Sequence, residues 1–548
     1  MSWYSSIVEW IHENDGFIHP SLILKEIDVD ARGIYANEDV EKGTLLIRLP
    51  SKLAVSGSKF PSTYMYHSAN EDSERLASPW LRCVTALLST YINEDRTYEQ
   101  YIKSLPEAYE TLIHKKSWSD DDVQTYLAGT SIGKMVLQDR QSNTLRTRFE
   151  SSVKPYMEAN GLINQTKVTD DELFRSFQMA CACVSTRGFH LKENNKDVSS
   201  GASVDAYAGP FLLPFIDLLN HSSNQKDKCT TLQRRTDIPG QSNNGMAQDG
   251  FFMTAERDVK KDEEILHSYG NGLTSCQLLQ TFGFVESYLV DRAIRGAFPG
   301  NIENDVTPVI LSKEMLIQAC AHISLSKIPQ NLEKQITTCP ELLQQDFDTW
   351  ELPSAPSLMD RNSNAVKKKI PDEIIVNFTH PLSDDLITLC SLQFLPDEAF
   401  DEICEVHDNG DSTLTMLSSD ILEDFFLGSL VLRAIQHAIQ IRLSDYPAVK
   451  SPSVIALDDG ALDDATLLKV LTSDATNKGL QPSKEVIHGI YGLTLRIEEK
   501  ACLNQLQESC LELLKSLGHP EGKNEQRNLE ANDKDGNHSD FSSKRRKV

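Results

Sequence analysis

The chain has 548 residues, 54 of them Lys or Arg and 80 Asp or Glu, for a formal net charge of −26. That length allows roughly two to four domains, and such acidity argues against non-specific binding to nucleic acid or to anionic membranes. No stretch approaches the ~20 apolar residues of a membrane helix, Met1 to Asp15 lacks the basic start of a secretory signal, and 11 scattered cysteines suit a reducing compartment with free thiols.

In chain order, Leu22-Ile23-Leu24 and Gly43 to Leu49 read as short strands flanking Ala31 to Ala36, and Pro50 closes the second run. From about Pro79 to Val184 the texture is helical. Ser119-Asp-Asp-Asp122 and Thr169-Asp-Asp-Glu172 have the spacing of capping boxes, with Trp118/Val123 and Val168/Leu173 placed as hydrophobic staples. The second box opens a helix that buries Leu173, Phe174, Phe177, Cys181 and Val184 and ends near Gly188. From Gly209 to Phe284 short apolar runs return, with a loop at Gln241–Gly245 and strands at Phe251–Thr254 and Glu264–Tyr269. Beyond Ser287 the chain turns helical again. Phe425–Tyr446 and Ile490–Leu514 are long helices, the latter with Leu495, Cys502, Leu503, Leu506, Cys510 and Leu513 on one face. Glu351–Lys369 reads as an exposed loop, and the polar stretch after His519 as a disordered tail.

Polar and aromatic residues crowd into three places. They are Thr186-Arg187-Gly188-Phe189; Asp217-Leu-Leu-Asn220-His221-Ser222 at the end of an apolar run; and Tyr269-Gly270, followed by Phe282-Gly283-Phe284. Taken singly, each reads as a satisfied structural feature. In this order they resemble the SET-domain protein lysine methyltransferases, in particular the branch of the Rubisco large-subunit and fungal ribosomal-protein lysine methyltransferases. That family's pattern runs from a Gly-rich turn through Arg-x-Phe, Asp-x-x-Asn-His-Ser and a Tyr-containing strand to Tyr-Gly-Phe, here between Leu22 and Val285.

The resemblance implies an α+β fold. A β-rich SET domain over residues 1–290 would be split by a helical insert at about 75–185. A helical substrate-binding domain would follow over 291–518, then a tail over 519–548. It also implies roles. Arg32 and Gly33 match the backbone turn against S-adenosylmethionine. Arg187 matches the arginine that pairs with the cofactor carboxylate, and Asn220 and His221 the pair that holds its amino group and adenine. Tyr269 matches the active-site tyrosine, which also borders the cofactor. Thr186, Phe189, Asp217, Phe282 and Phe284 fall where the lysine channel and substrate lie. Two positions depart from the pattern: Ala31-Arg32-Gly33 replaces Gly-x-Gly, and Phe282 replaces the more common Tyr.

The residue chemistry points the same way. Methyl transfer to an amine is an in-line displacement, so alignment is the main task. Lysine has a pKa near ~10.4, leaving about one amine in a thousand neutral at pH 7, and an aromatic channel lowers that value by desolvation. A tyrosine hydroxyl can orient the amine, and carbonyl oxygens can hold the methyl through weak C–H···O contacts. No metal is needed. Nucleotide and Walker fingerprints and a Gly-x-Ser-x-Gly elbow are absent. Cys181 and Cys183 are too isolated for a four-ligand zinc site and read as packing residues. The expected protein is therefore a monomeric S-adenosylmethionine-dependent lysine methyltransferase. Its expected substrate is a basic non-histone protein, a large-subunit ribosomal protein foremost and an elongation factor next. The rival from another class is a catalytically silent SET-type binding module. The terminal Lys544-Arg545-Arg546-Lys547 resembles a nuclear import signal, so both nucleus and cytoplasm are expected.

Overall fold

The structure is a computed structural model that describes residues 3–26, 32–57, 78–92, 96–106, 118–142, 144–163, 168–192, 207–224, 226–235, 249–270, 272–298, 306–325, 373–394, 422, 425–449, 463–477 and 482–517. Ala31, the Gln241–Gly245 and Glu351–Lys369 loops and the tail lie outside these residues. The chain divides into two compact units. One comprises Met1–Val123 and Met135–Ser287; the other comprises Gln124–Lys134 and Tyr288–Val548.

The first unit opens with helix α1 (Trp3–Glu13), which buries Ile7, Trp10 and Ile11 at the i, i+3, i+4 spacing of one helical face. Strands β1 (Phe17–Ile18), β2 (Leu22–Glu26), β3 (Arg32–Ala36), β4 (Leu45–Pro50) and β5 (Val55–Ser56) follow. Next come helices α2 (Pro79–Ile92) and α3 (Glu99–Ser104), then α4 to α7 (Asp120–Tyr126, Ser131–Ser142, Thr144–Arg148, Lys154–Ala159). Ser119 and Asp122 form the first box, their side chains bonded to each other's backbone N–H, and Trp118 and Val123 are buried. Thr169 and Glu172 form the second at the start of α8 (Asp170–Arg187).

Helix α8 ends where Gly188 begins β6 (Gly188–Lys192). A Cβ at Gly188 would meet the Val184 oxygen at 2.5 Å, so only glycine lets the helix pass directly into the strand. Arg187 is thereby held at the helix end. Strands β7 (Tyr207–Leu212), β8 (Asn220–His221), β9 (Thr230–Arg235), β10 (Gly250–Ala255) and β11 (Leu266–His267) complete the small sheets. Their orders are β1-β4-β10-β9, β5-β7-β6, β2-β3 and a parallel pair β8–β11, with Asn220 opposite Leu266 and His221 opposite His267.

The expected strand Glu264–Tyr269 shrinks to β11. Its residues are shared among different partners: Glu264 bridges to Tyr35, Ile265 donates to the Ile34 oxygen, and Tyr269 bonds a side chain instead of a strand. Helix α1 is not among the expected elements. Neither is α9 (Ser275–Phe282), although its Thr274-x-x-Gln277 capping box is plain in the sequence. Gly283, at φ +83°, ends α9 in the left-handed conformation that favours glycine, which fixes Phe282 and Phe284 on either side of the turn. Helix α10 (Ser287–Arg295) carries the chain onward.

The second unit contains an antiparallel pair of β12 (Val309–Ser312) and β13 (Glu373–Val376) and helices α11 (Lys313–Leu325), α12 (Asp384–Leu392), α13 (Phe425–Ser444), α14 (Asp464–Asn477) and α15 (Lys484–Leu517). The expected helix at Ile490–Leu514 is the body of α15, and Leu495, Cys502, Leu503, Leu506 and Cys510 are buried as the periodicity requires. Its mid-helix glycine Gly492 faces Tyr126, whose Cβ would lie 2.6 Å from an added methyl. The buried charges of this unit are paired: Arg442 with Glu499 at 3.0 Å, and Arg496 with Asp464 at 3.1 Å. Desolvation makes such pairing obligatory.

Candidate active site

The site is built in the first unit, from the ends of α8 and β8 and the turn after β11. Arg187 Nη1 donates to the Asp217 carbonyl oxygen at 2.7 Å and lies 3.5 Å from Asp217 Oδ2. The Asp217 side chain has no solvent exposure. Tyr101 Oη donates to its Oδ2 at 2.9 Å, while Oδ1 is buried with no hydrogen-bond partner. Burial raises the Asp217 pKa from its ordinary value, against the pull of Arg187 and Tyr101. Burial likewise holds the Tyr101 phenol well above its ordinary value.

Tyr269 is anchored at both ends. Its Oη donates to the Leu219 carbonyl oxygen at 2.8 Å, and its backbone N–H donates to His221 Nδ1 at 3.0 Å. An Nδ1 that accepts carries no proton, so the proton sits on Nε2, 2.7 Å from Ser223 Oγ. Burial pushes the His221 pKa down, opposed by Glu286, and the ring stays neutral. The Tyr269 phenol is pushed up to about 12 by burial. Tyr269 lies between His221 and Phe282, its ring tilted against both, with centroids 4.9 and 4.8 Å away.

A cavity of about 120 Å³ is walled by Thr186, Arg187, Phe189, Asp217, Tyr269 and Phe282, together with His190 and His267. Phe284 is not part of that wall; its ring lies 6.3 Å from those of Phe282 and His221 and backs them. Thr186 turns its hydroxyl back onto the Ala182 oxygen at 2.8 Å, spending its proton within α8. Arg32 and Gly33 stand in strand β3, not in a turn. The Arg32 guanidinium covers the Trp3 ring and bonds the Ser104 oxygen at 2.9 Å. The Arg32 carbonyl accepts from Asn220 Nδ2 at 2.8 Å. No positive φ calls for glycine at position 33. A Cβ there would press on the Glu264 carboxylate, which would have to shift.

Four residues here carry no signal in the sequence reading. Tyr101 lies 116 positions from Asp217, and no local pattern links them. Glu264 accepts from Asn220 Nδ2 at 2.7 Å. Glu286 Oε1 accepts from Ser223 N–H at 3.0 Å. His267 Nδ1 is 3.0 Å from Thr230 Oγ1. Among the described residues no group of His, Cys, Asp and Glu is arranged to hold a metal ion.

This arrangement is that of a SET domain, and the SET domain family model matches residues 31–270. The chain carries a SET domain over these residues and is a protein-lysine N-methyltransferase with S-adenosylmethionine as cofactor. Among its curated relatives is N-lysine methyltransferase setd6 of Salmo salar, 25% identical over 62% of this chain and 67% of the relative. Ribosomal lysine N-methyltransferase set11 of Schizosaccharomyces pombe is 22% identical over 40% of this chain and 48% of its own length. The fold is similar to that of the SET domain of LSMT bound to lysine and AdoHcy, with a TM-score of 0.57 at 16% identity over 95% of this chain and 94% of that one.

Burial, with Lys228 and His221 adding to it, pushes the His267 pKa down to about 4. A histidine lowered on folding contributes stability that is full above its unfolded pKa of ~6.5. That contribution is lost as pH falls through the folded value, at up to ~1.4 kcal/mol per pH unit. Thermal melting of wild type between pH 7 and 4 is therefore expected to fall more steeply than that of His267→Gln. Parallel curves would show that His267 does not titrate this way.

Proposed function

We propose that this chain methylates the side-chain amine of a lysine on a basic, non-histone protein, and that the substrate is a protein of the large ribosomal subunit. The observation that carries the catalytic reading is Tyr269. Its phenol gives its only proton to the Leu219 carbonyl, so what its oxygen offers the cavity is a lone pair, the feature that aligns an amine N–H. With its pKa pushed up to about 12, it stays a neutral phenol at physiological pH and orients the nucleophile without acting as the base.

The residues fit the cofactor. Arg187 is a cation in the cavity wall, suited to an α-carboxylate. Asn220 has spent both amide protons on the Arg32 oxygen and Glu264, leaving its carbonyl oxygen for an α-ammonium. When bound, S-adenosylmethionine supplies a methyl group activated by a sulfonium. The chain's own residues do the rest. Phe189, Phe282 and Tyr269 surround the lysine stem and exclude water, which favours the neutral amine. The neutral amine held by these residues would be the nucleophile for that methyl group, and the proton lost from its nitrogen would pass to solvent. Phe282 adds no hydroxyl to this end of the site.

Tyr269→Phe is expected to lower kcat on the true substrate by on the order of 10²–10³, while calorimetry shows S-adenosylmethionine binding unchanged. Turnover within a few-fold of wild type would remove Tyr269 from the mechanism.

The ribosomal substrate is supported by the likeness to set11 and by the net charge of −26, which attracts basic proteins. The helical unit from Tyr288 onward is assigned to substrate recognition. Intact masses of ribosomal proteins from cells with and without this gene are expected to differ on one large-subunit protein by one or more methyl groups. Identical mass profiles would overturn the ribosomal assignment.

The terminal basic run Lys544–Lys547 is assigned to nuclear import, placing the enzyme in both nucleus and cytoplasm. A fluorescent fusion lacking the last five residues is expected to lose its nuclear signal. Equal nuclear signal with and without them would end that assignment.

A further inference from the structure

Glu264 lies outside the cavity wall, yet it touches the cofactor side of the site from behind. Its Oε1 accepts from Asn220 Nδ2 at 2.7 Å, and its Oε2 lies 3.4 Å from Tyr35 Oη. The same Asn220 nitrogen donates to the Arg32 carbonyl at 2.8 Å. Both partners are acceptors only, so the amide nitrogen, and not its oxygen, must face them. Without the Glu264 carboxylate one amide proton loses its partner, and only the Arg32 carbonyl still holds the amide. Gly33 belongs to this device. The carboxylate occupies the volume a side chain would need, with Oε1 2.3 Å from the position of a Cβ. The glycine of Arg32-Gly33 thus leaves the glutamate in its place beside Asn220.

We infer that Glu264 is a positioning residue of the cofactor site: by fixing the Asn220 amide it holds the asparagine oxygen ready to accept the α-ammonium of S-adenosylmethionine. The inference rests on the reading that Asn220 holds that ammonium. Asn220 then acts as a pre-oriented acceptor, and the Glu264 charge acts through it and not on the ligand.

The test is calorimetry on the full-length chain with two ligands. S-adenosylhomocysteine carries the amino group; 5′-methylthioadenosine has the same nucleoside thioether without it. Glu264→Met keeps the length of the side chain and removes the acceptor. It is expected to weaken S-adenosylhomocysteine binding by on the order of tenfold, leave methylthioadenosine affinity unchanged, and add less than about twofold in an Asn220→Ala background. Glu264→Gln retains an acceptor and is expected to restore most of the loss. Equal losses for the two ligands, or a full additional loss on top of Asn220→Ala, would reduce Glu264 to a structural role and overturn the inference. Glu264→Gln as weak as Glu264→Met, with methylthioadenosine unaffected, would make the carboxylate a direct ligand of the ammonium and overturn it equally. Wild-type affinity of Asn220→Ala for S-adenosylhomocysteine would instead strike the underlying assignment of Asn220. Circular dichroism melts on each variant establish that the proteins compared are folded.

Discussion

The site depends on a parallel pairing only two residues long. Asn220-His221 runs beside Leu266-His267, which brings two stretches distant in sequence into register. Once paired, His221 Nδ1 meets the backbone N–H of Tyr269 and the tyrosine hydroxyl meets the Leu219 carbonyl. A ladder this short contributes few hydrogen bonds of its own, so side chains extend it. Asn220 ties to Arg32 and Glu264 on one side, and His221 to Ser223 on the other. A parallel pair needs a long crossover, here the stretch containing β9 and β10.

Burial governs the electrostatics around this pairing. Asp217, Tyr101 and Tyr269 are all shifted toward their neutral forms, and His221 and His267 are held neutral from the other direction. A dry wall suits the proposed reaction twice over. It favours an uncharged amine, and it leaves Arg187 as the cation beside the cavity. Asp217 is the most costly member of the site: a carboxylate with no exposed surface, satisfied at one oxygen by Tyr101 and flanked by Arg187. An unpartnered buried oxygen is expensive.

The two long-range braces, Tyr101 on Asp217 and Glu264 on Asn220, share one design. Each comes from a segment remote in sequence and bonds the side chain of a residue in the motif. Such supporting partners keep a site within the narrow geometric tolerance that in-line transfer demands. They also explain features that the motif leaves unexplained. The space left by Gly33 holds the Glu264 carboxylate, and the α8–β6 junction needs Gly188 because Val184 and Pro210 crowd it.

The sequence by itself determined what depends on local chemistry. The capping boxes at Ser119 and Thr169 begin helices because side-chain oxygens three residues apart satisfy orphan N–H groups wherever they occur. The apolar face of α15 is buried because its period is helical. The family likeness lay in the order of Arg187, Asn220-His221 and Tyr269, and the fold class followed from it. Tertiary structure decided the rest. Glu264–Tyr269 has the composition of a strand, but Tyr35, Ile34 and His221 compete for its backbone and leave two residues in the ladder. Phe284 sits beside Phe282 in sequence but behind it in space, because Gly283 turns the chain at a positive φ. Arg32 and Gly33 lie in a strand because β2 pairs with them. Tyr101, Glu264 and Glu286 could not be named beforehand, since each acts across dozens of residues and a hydrogen bond between distant side chains leaves no period or spacing in the chain.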